Sequence, residues 1–162
     1  MNIIIIGAII LILILLTVIR RIGRRLTEQQ IIQSQHVVNQ ALNAVLPALA
    51  SQLAVKEPAK AIRTTLVANI WGHEVMAFEC QLPVFRQFPL GQVKDSLSRA
   101  LEEYDAKEKL PRFDEQPYAL VLTDVWYQEQ TSGCYLHLDI AHIINAETAA
   151  YLRDLAKLNQ PL

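Results

Sequence analysis

Cysteine is nearly absent: Cys80 and Cys134 are the two thiols in a chain of 162 residues. So few cannot build the dense disulfide framework of a small secreted domain, and their separation of 54 residues (134 minus 80) excludes a CxxC redox or zinc motif. Charge is sparse too, at 19% of residues, and balanced, with 15 Lys plus Arg against 16 Asp plus Glu. A chain that binds nucleic acid through its whole surface is strongly basic, so no nucleic-acid partner is expected. GxSxG, HExxH, GxxxxGKS/T and GxGxxG strings are all missing, which removes the signatures of the common hydrolase, zinc-protease, nucleotide and dinucleotide sites. No cofactor is called for, and the expected mode of action is binding rather than catalysis.

Apolar residues are plentiful, at 52%, which argues against a disordered chain. They are concentrated first in Ile3 to Ile19, a run of 17 residues with nine Ile and four Leu, interrupted mildly by Gly7 and Thr17. Such a run reads as a single membrane-spanning helix, about 25 Å long at ~1.5 Å per residue. A cleaved signal peptide would need a basic stretch before the run and a small-residue cleavage site after it, and neither is present. Arg20, Arg21, Arg24 and Arg25 follow at once. By the positive-inside rule they place the amino terminus outside and the remaining chain in the cytoplasm, with the guanidinium groups against anionic lipid headgroups. An exported domain behind an uncleaved anchor is the competing topology. Removing these four from the count leaves 11 basic and 16 acidic residues from position 26 onward, a net charge of −5.

After the collar, Thr27 and Gln30 match a capping box, so a helix is expected to restart or continue there. Ile31, Val38, Leu42, Val45, Leu49 and Leu53 then line one side of a helix to about Val55. Gln35 occupies a missing heptad position that would fix the register of a coiled coil, and Pro47 predicts a kink or break near Leu46. The stripe has two candidate covers, this protein's own body or a second chain.

The period changes toward two from Arg63 onward. Thr64 to Trp71 and Glu74 to Leu82 read as a hairpin turning at Gly72-His73. Leu90, Val93, Leu97, Leu101 and Tyr104 mark a helix to about Lys109, stopped before Pro111. A second hairpin, Tyr118 to Tyr127 and Cys134 to Ile143, turns through Thr131-Ser132-Gly133. Asn145 caps a last helix with Ala149, Leu152, Leu155 and Leu158 on its apolar side. The fold class is therefore α+β, of order α, ββα, ββα, with a four-stranded antiparallel sheet and helices on one face. In element order alone this resembles roadblock-like or profilin-like modules and, more loosely, secretion chaperones, a resemblance that implies no function. The expected layout is 1–2 outside, 3–19 in the membrane, 20–26 a basic collar, 27–56 an amphipathic helix or stalk, and 57–162 a cytoplasmic domain.

His137, Asp139 and His142 form an HxDxxH string, but on a strand the first two share a face that the third does not. No metal site is expected. Cys80 falls on an apolar strand face, where a thiol behaves as a small hydrophobe, and Cys134 beside the loop has no base assigned to it. The second hairpin is more informative. With a register symmetric about its loop, Val121, Thr123, Val125, Leu136, Leu138 and Ile140 form a core face. The other face gathers Tyr118, Leu120, Asp124, Trp126, Tyr135, His137 and Asp139, with Asp124 opposite His137 and Trp126 opposite Tyr135. Aromatic rings beside an acid and a histidine suit a protein contact better than solvent, so a protein partner or a second copy is expected there. Two rivals remain: an enzyme acting near the membrane, which needs polar groups converging around Asp124, His137 and Asp139, and a self-assembling helical bundle, which needs the stripe from Thr27 to Val55.

Overall fold

The computed structural model describes the backbone of residues 2–56, 61–67 and 74–158, and among these the side chains of Leu15 and of residues from 28 onward. The chain falls into two units, Met1–Gln33 and Ser34–Leu162. The backbone of the first unit is helical and belongs to α1, which runs from Asn2 to Leu53. Among the described residues no helix is long and apolar enough to cross a membrane. The side chains expected to do so, 3–14 and 16–19, lie outside the described residues, as do those of the arginine collar and Thr27. Backbone helix continues through Thr27, the second of the two outcomes expected there.

The second unit begins inside the helix that the sequence set apart as a stalk. Val38, Ala41, Leu42, Val45, Leu46, Leu49 and Leu53 are all buried within this one chain. Burial of that many aliphatic side chains, each worth about 1.5–3 kcal/mol, spends the stripe on the protein's own core and leaves the bundle reading without its seam. Gln35 likewise has a local use. Its amide donates to the Thr64 carbonyl, while Asn39 Oδ1 accepts from the Thr64 amide at 2.8 Å and Asn43 exchanges two bonds with Ile62 at 3.0 and 3.1 Å. Gln35, Asn39 and Asn43 stand one helical turn apart and together hold the 62–64 backbone against α1. Pro47 lies inside α1 without ending it. Its ring and Asn43 are both exposed, so the carbonyl that loses its donor can be hydrated.

Four strands follow: β1 (Thr65–Leu66), β2 (Ala77–Val84), β3 (Leu120–Gln130) and β4 (Gly133–His142), in the antiparallel order β1-β2-β4-β3. The expected Gly72-His73 turn lies outside the described residues. A two-residue turn there would set Thr65 against Cys80, whereas its partner is Glu79, so Leu66 rather than Val67 shares a face with Phe78. Two further helices, α2 (Leu90–Glu108) and α3 (Ala146–Leu158), complete the unit. Pro89 at φ −54° opens α2, and Lys109, left-handed at φ 53°, closes it with its N–H on the Asp105 carbonyl. Val93, Leu97 and Leu101 point into the core as expected, but the next buried position is Asp105 rather than Tyr104. Asn145 caps α3 through Oδ1 to the Thr148 amide at 2.9 Å, and its own amide reaches the Glu74 carbonyl at 2.7 Å.

The core face of the sheet carries Phe78, Cys80, Leu82 and Val84 of β2 with Leu136, Leu138 and Ile140 of β4, all at 2% exposure or less. On β3 the expectation fails in part. A bulge between Leu122 and Asp124 adds Thr123 to the strand, so Leu122 pairs with Ile140 and Leu120 with His142. Leu120 and Leu122 therefore face the core with Val125, whereas the sequence assigned that place to Val121 and Thr123. Helices also occupy both sides rather than one: α2 packs on β3, while Tyr151 of α3 bonds the Thr123 side chain and lies beside Asp139 on the other face.

Candidate functional site

The second face is built by strand alternation. His137 and Asp139 of β4 stand two residues apart, with Glu79 and Gln81 of β2 on one flank and Asp124 and Trp126 of β3 on the other. The register of the second hairpin decides what meets. Gly133 at φ +128° follows a two-residue turn, Thr131-Ser132, so the hairpin turns between residues 131 and 132, one residue beyond the centre implied by the expected pairing of Trp126 with Tyr135. Trp126 is thereby opposite His137 instead of Tyr135, and Asp124 opposite Asp139 instead of His137. A shift of two residues keeps every side chain of this stretch on its expected face.

Trp126 stacks on the His137 ring with centroids 4.8 Å apart and planes at 22°. His137 is 3% exposed and its Nδ1 meets Glu79 Oε1 at 2.5 Å. Sequence reasoning paired His137 with Asp124 and missed Glu79, because that carboxylate comes from the other hairpin and only the β2–β4 pairing brings it in. Glu79, Asp139 and Asp124 are direct cross-strand neighbours, a row of three carboxylates across three strands. Burial, then the charges of Glu79 and Asp124, push the Asp139 carboxyl up to about 6, against an opposing pull from His137. Burial and the nearby Asp139 also raise the Tyr151 hydroxyl, which its bond to Thr123 partly offsets. Asp139 Oδ1 and His137 Nε2 are buried and have no hydrogen-bond partner.

Tyr135 shares this face, opposite Gln128 and Pro83, with its hydroxyl 3.0 Å from Ser132 Oγ. Tyr118 does not join it. It precedes β3 by two residues and lies beyond the bulge, six positions from Asp124. His142 is on the core face, 5% exposed, so the HxDxxH side chains do not converge. Among the described residues no group of three or more His, Cys, Asp or Glu could hold a metal ion. The thiols are separate from this face. Cys80 is buried in the core, with its pKa pushed up to about 12 by burial and by Glu79. Cys134, raised chiefly by burial, has Gln87 and Glu129 as neighbours rather than a histidine.

Chemically, a carboxylate on Nδ1 is the arrangement that orients an imidazole as a base. Here the other nitrogen, the one that would take the proton, is sealed from solvent. The accessible groups are Trp126, Tyr135 and Glu79, each partly exposed, and Asp124, which is exposed; such groups suit recognition. A groove of about 230 Å³ lies along α3, lined by Val75, Ala150, Tyr151 and Leu155 among others, where the helix's apolar side is only half covered. No family model, curated protein or solved structure matches the chain.

Proposed function

We propose that this is a single-pass membrane protein whose cytoplasmic α+β body binds another protein, as an adaptor, assembly factor or complex subunit. The observation that carries the binding half of the proposal is the second sheet face. It presents Trp126 stacked on His137 and flanked by three carboxylates, a combination of aromatic anchor and polar surround typical of interface centres. The membrane half rests on the apolar run 3–19 and the arginines at its carboxyl end. Tyr118, assigned to this face on sequence grounds, is no part of the proposed surface.

Two measurements test the halves separately. Alkaline extraction should leave the protein with the membrane, and protease added to intact cells should spare a C-terminal tag; digestion of that tag without lysis overturns the topology. For the binding half, crosslinked recovery from native membranes should return a specific partner with the wild-type protein and lose it with Trp126→Ala. Undiminished recovery with that variant removes the face from the interaction.

A further inference from the structure

Glu79, Asp139 and Asp124 stand side by side on adjacent strands, an arrangement in which like charges directly opposite one another destabilise a sheet. Among the described residues no lysine or arginine is within ion-pair distance of the row; Glu79 meets His137, and the other ion pair, Lys157 with Asp154, is on α3. Glu79 meets the Gln81 amide at 3.2 Å as well as His137, and Asp124 Oδ1 accepts from the Val125 amide at 2.8 Å, but the carboxylate between them is left with an unpaired oxygen. Asp139 Oδ1 has no partner, and neither has Nε2 of His137, a side chain more than nine-tenths buried within the same cluster. Buried polar atoms are rarely left in this state. Beside them Trp126 is partly exposed and Asp124 exposed, which gives a cation an aromatic ring and a carboxylate to approach from solvent.

We infer that this face receives an arginine-bearing segment of a partner protein, the guanidinium lying over the carboxylate row beside Trp126. The assignment rests on the interaction reading above and names the chemistry of the partner. Arginine fits better than lysine because its planar fork can bond two carboxylates at once and stack on an indole, whereas an ammonium is a compact, strongly hydrated charge. Charge complementarity also disfavours a second copy meeting face to face, since that would oppose two acidic rows.

The test uses the full chain in zwitterionic detergent micelles and, as probe, acetyl-hexaarginine amide, titrated calorimetrically at physiological salt. Saturable single-site binding is expected, weakened about fivefold by Asp124→Asn, the loss of roughly one partly exposed ion pair. Asp124 is exposed, so this variant keeps the fold, which a circular-dichroism melt verifies. The double variant Glu102→Gln/Glu103→Gln, two carboxylates of α2, should bind as the wild type does. Absence of saturable binding, or equal weakening by the α2 variant, overturns the inference, the latter because it signals attraction to net charge alone. Self-association abolished by Asp124→Asn would also overturn it, by giving the face to the arginine collar of a second copy. If the peptide fails to bind while Trp126→Ala still loses the native partner, the basic segment is refuted and the interaction reading stands.

Discussion

The two faces of the sheet use ionisable groups in opposite ways. On the core face, Asp105 and His142 are nearly inaccessible, at 1% and 5% exposure. Asp105 Oδ2 takes the Ala119 amide at 2.6 Å and so fixes the entry into β3, while burial drives the His142 pKa down to about 4, against the attraction of Asp105. That face tolerates polarity only where it is neutral or anchors backbone. The second face keeps three carboxylates together, and one of them, Asp139, is raised to about 6. Stability organises the first face. The second sets like charges side by side at an electrostatic cost to the fold, which is in keeping with the binding surface proposed above.

The largest expected effect lies in the core. Leu138→Ala, at a fully buried position of β4, should destabilise the body by about 3 kcal/mol through lost transfer energy and a residual cavity. Chemical denaturation measures it; a loss under 1 kcal/mol would mean that the core face is misassigned.

Next comes pH, where the two faces oppose each other. His142, lowered from 6.5 to about 4, contributes stability that is full above pH 6.5 and lost as pH falls toward 4, up to about 3 kcal/mol. Asp139, raised from 3.8 to about 6, acts in the reverse sense: the folded state holds its proton more tightly, so its contribution is full below pH 3.8 and lost as pH rises through 6. Between about 4 and 6 the two slopes cancel. Asp139→Asn removes one of them, so its stability relative to the wild type should fall by close to one proton's slope as pH drops from 6 to 4. Parallel curves for the two proteins would show that Asp139 titrates normally.

A smaller effect tests the crowding directly. Asp124→Asn removes one like charge, so it should lower the Asp139 pKa, read by carboxyl carbon chemical shifts, and stabilise the body by a few tenths of a kcal/mol at pH 8. An unchanged Asp139 titration would contradict the carboxylate row.

Much of this was legible in the sequence, for identifiable reasons. Period and caps are local signals: Leu90 and Pro111 bracket α2, and Asn145 starts α3 with the bond that its side chain was expected to make. The site was legible only in outline. His137, Asp139, Asp124 and Trp126 share a face because alternation along a strand is local too. Their partners depend on quantities that alternation does not carry. A turn centred one residue further along the chain moved Trp126 from Tyr135 to His137, the Thr123 bulge moved Leu120 and Leu122 into the core, and the β2–β4 pairing supplied Glu79. Asp105 was hidden for a different reason. Its spacing matches the stripe of Val93, Leu97 and Leu101, but a charged residue there reads as solvent-facing until the Ala119 amide that needs it is located.

The division of labour between the faces is tested most directly by comparing Trp126→Ala with Leu138→Ala in the same two assays, thermal unfolding and crosslinked recovery of partner from native membranes. Trp126 is only partly buried, so its removal should cost about 1–2 kcal/mol, well short of the core variant, and yet abolish recovery. Leu138→Ala should lower the melting temperature further and retain the partner in proportion to the protein that remains folded. If Trp126→Ala melts as early as Leu138→Ala, or recovers the partner as the wild type does, the second face is an ordinary part of the fold and not a binding surface.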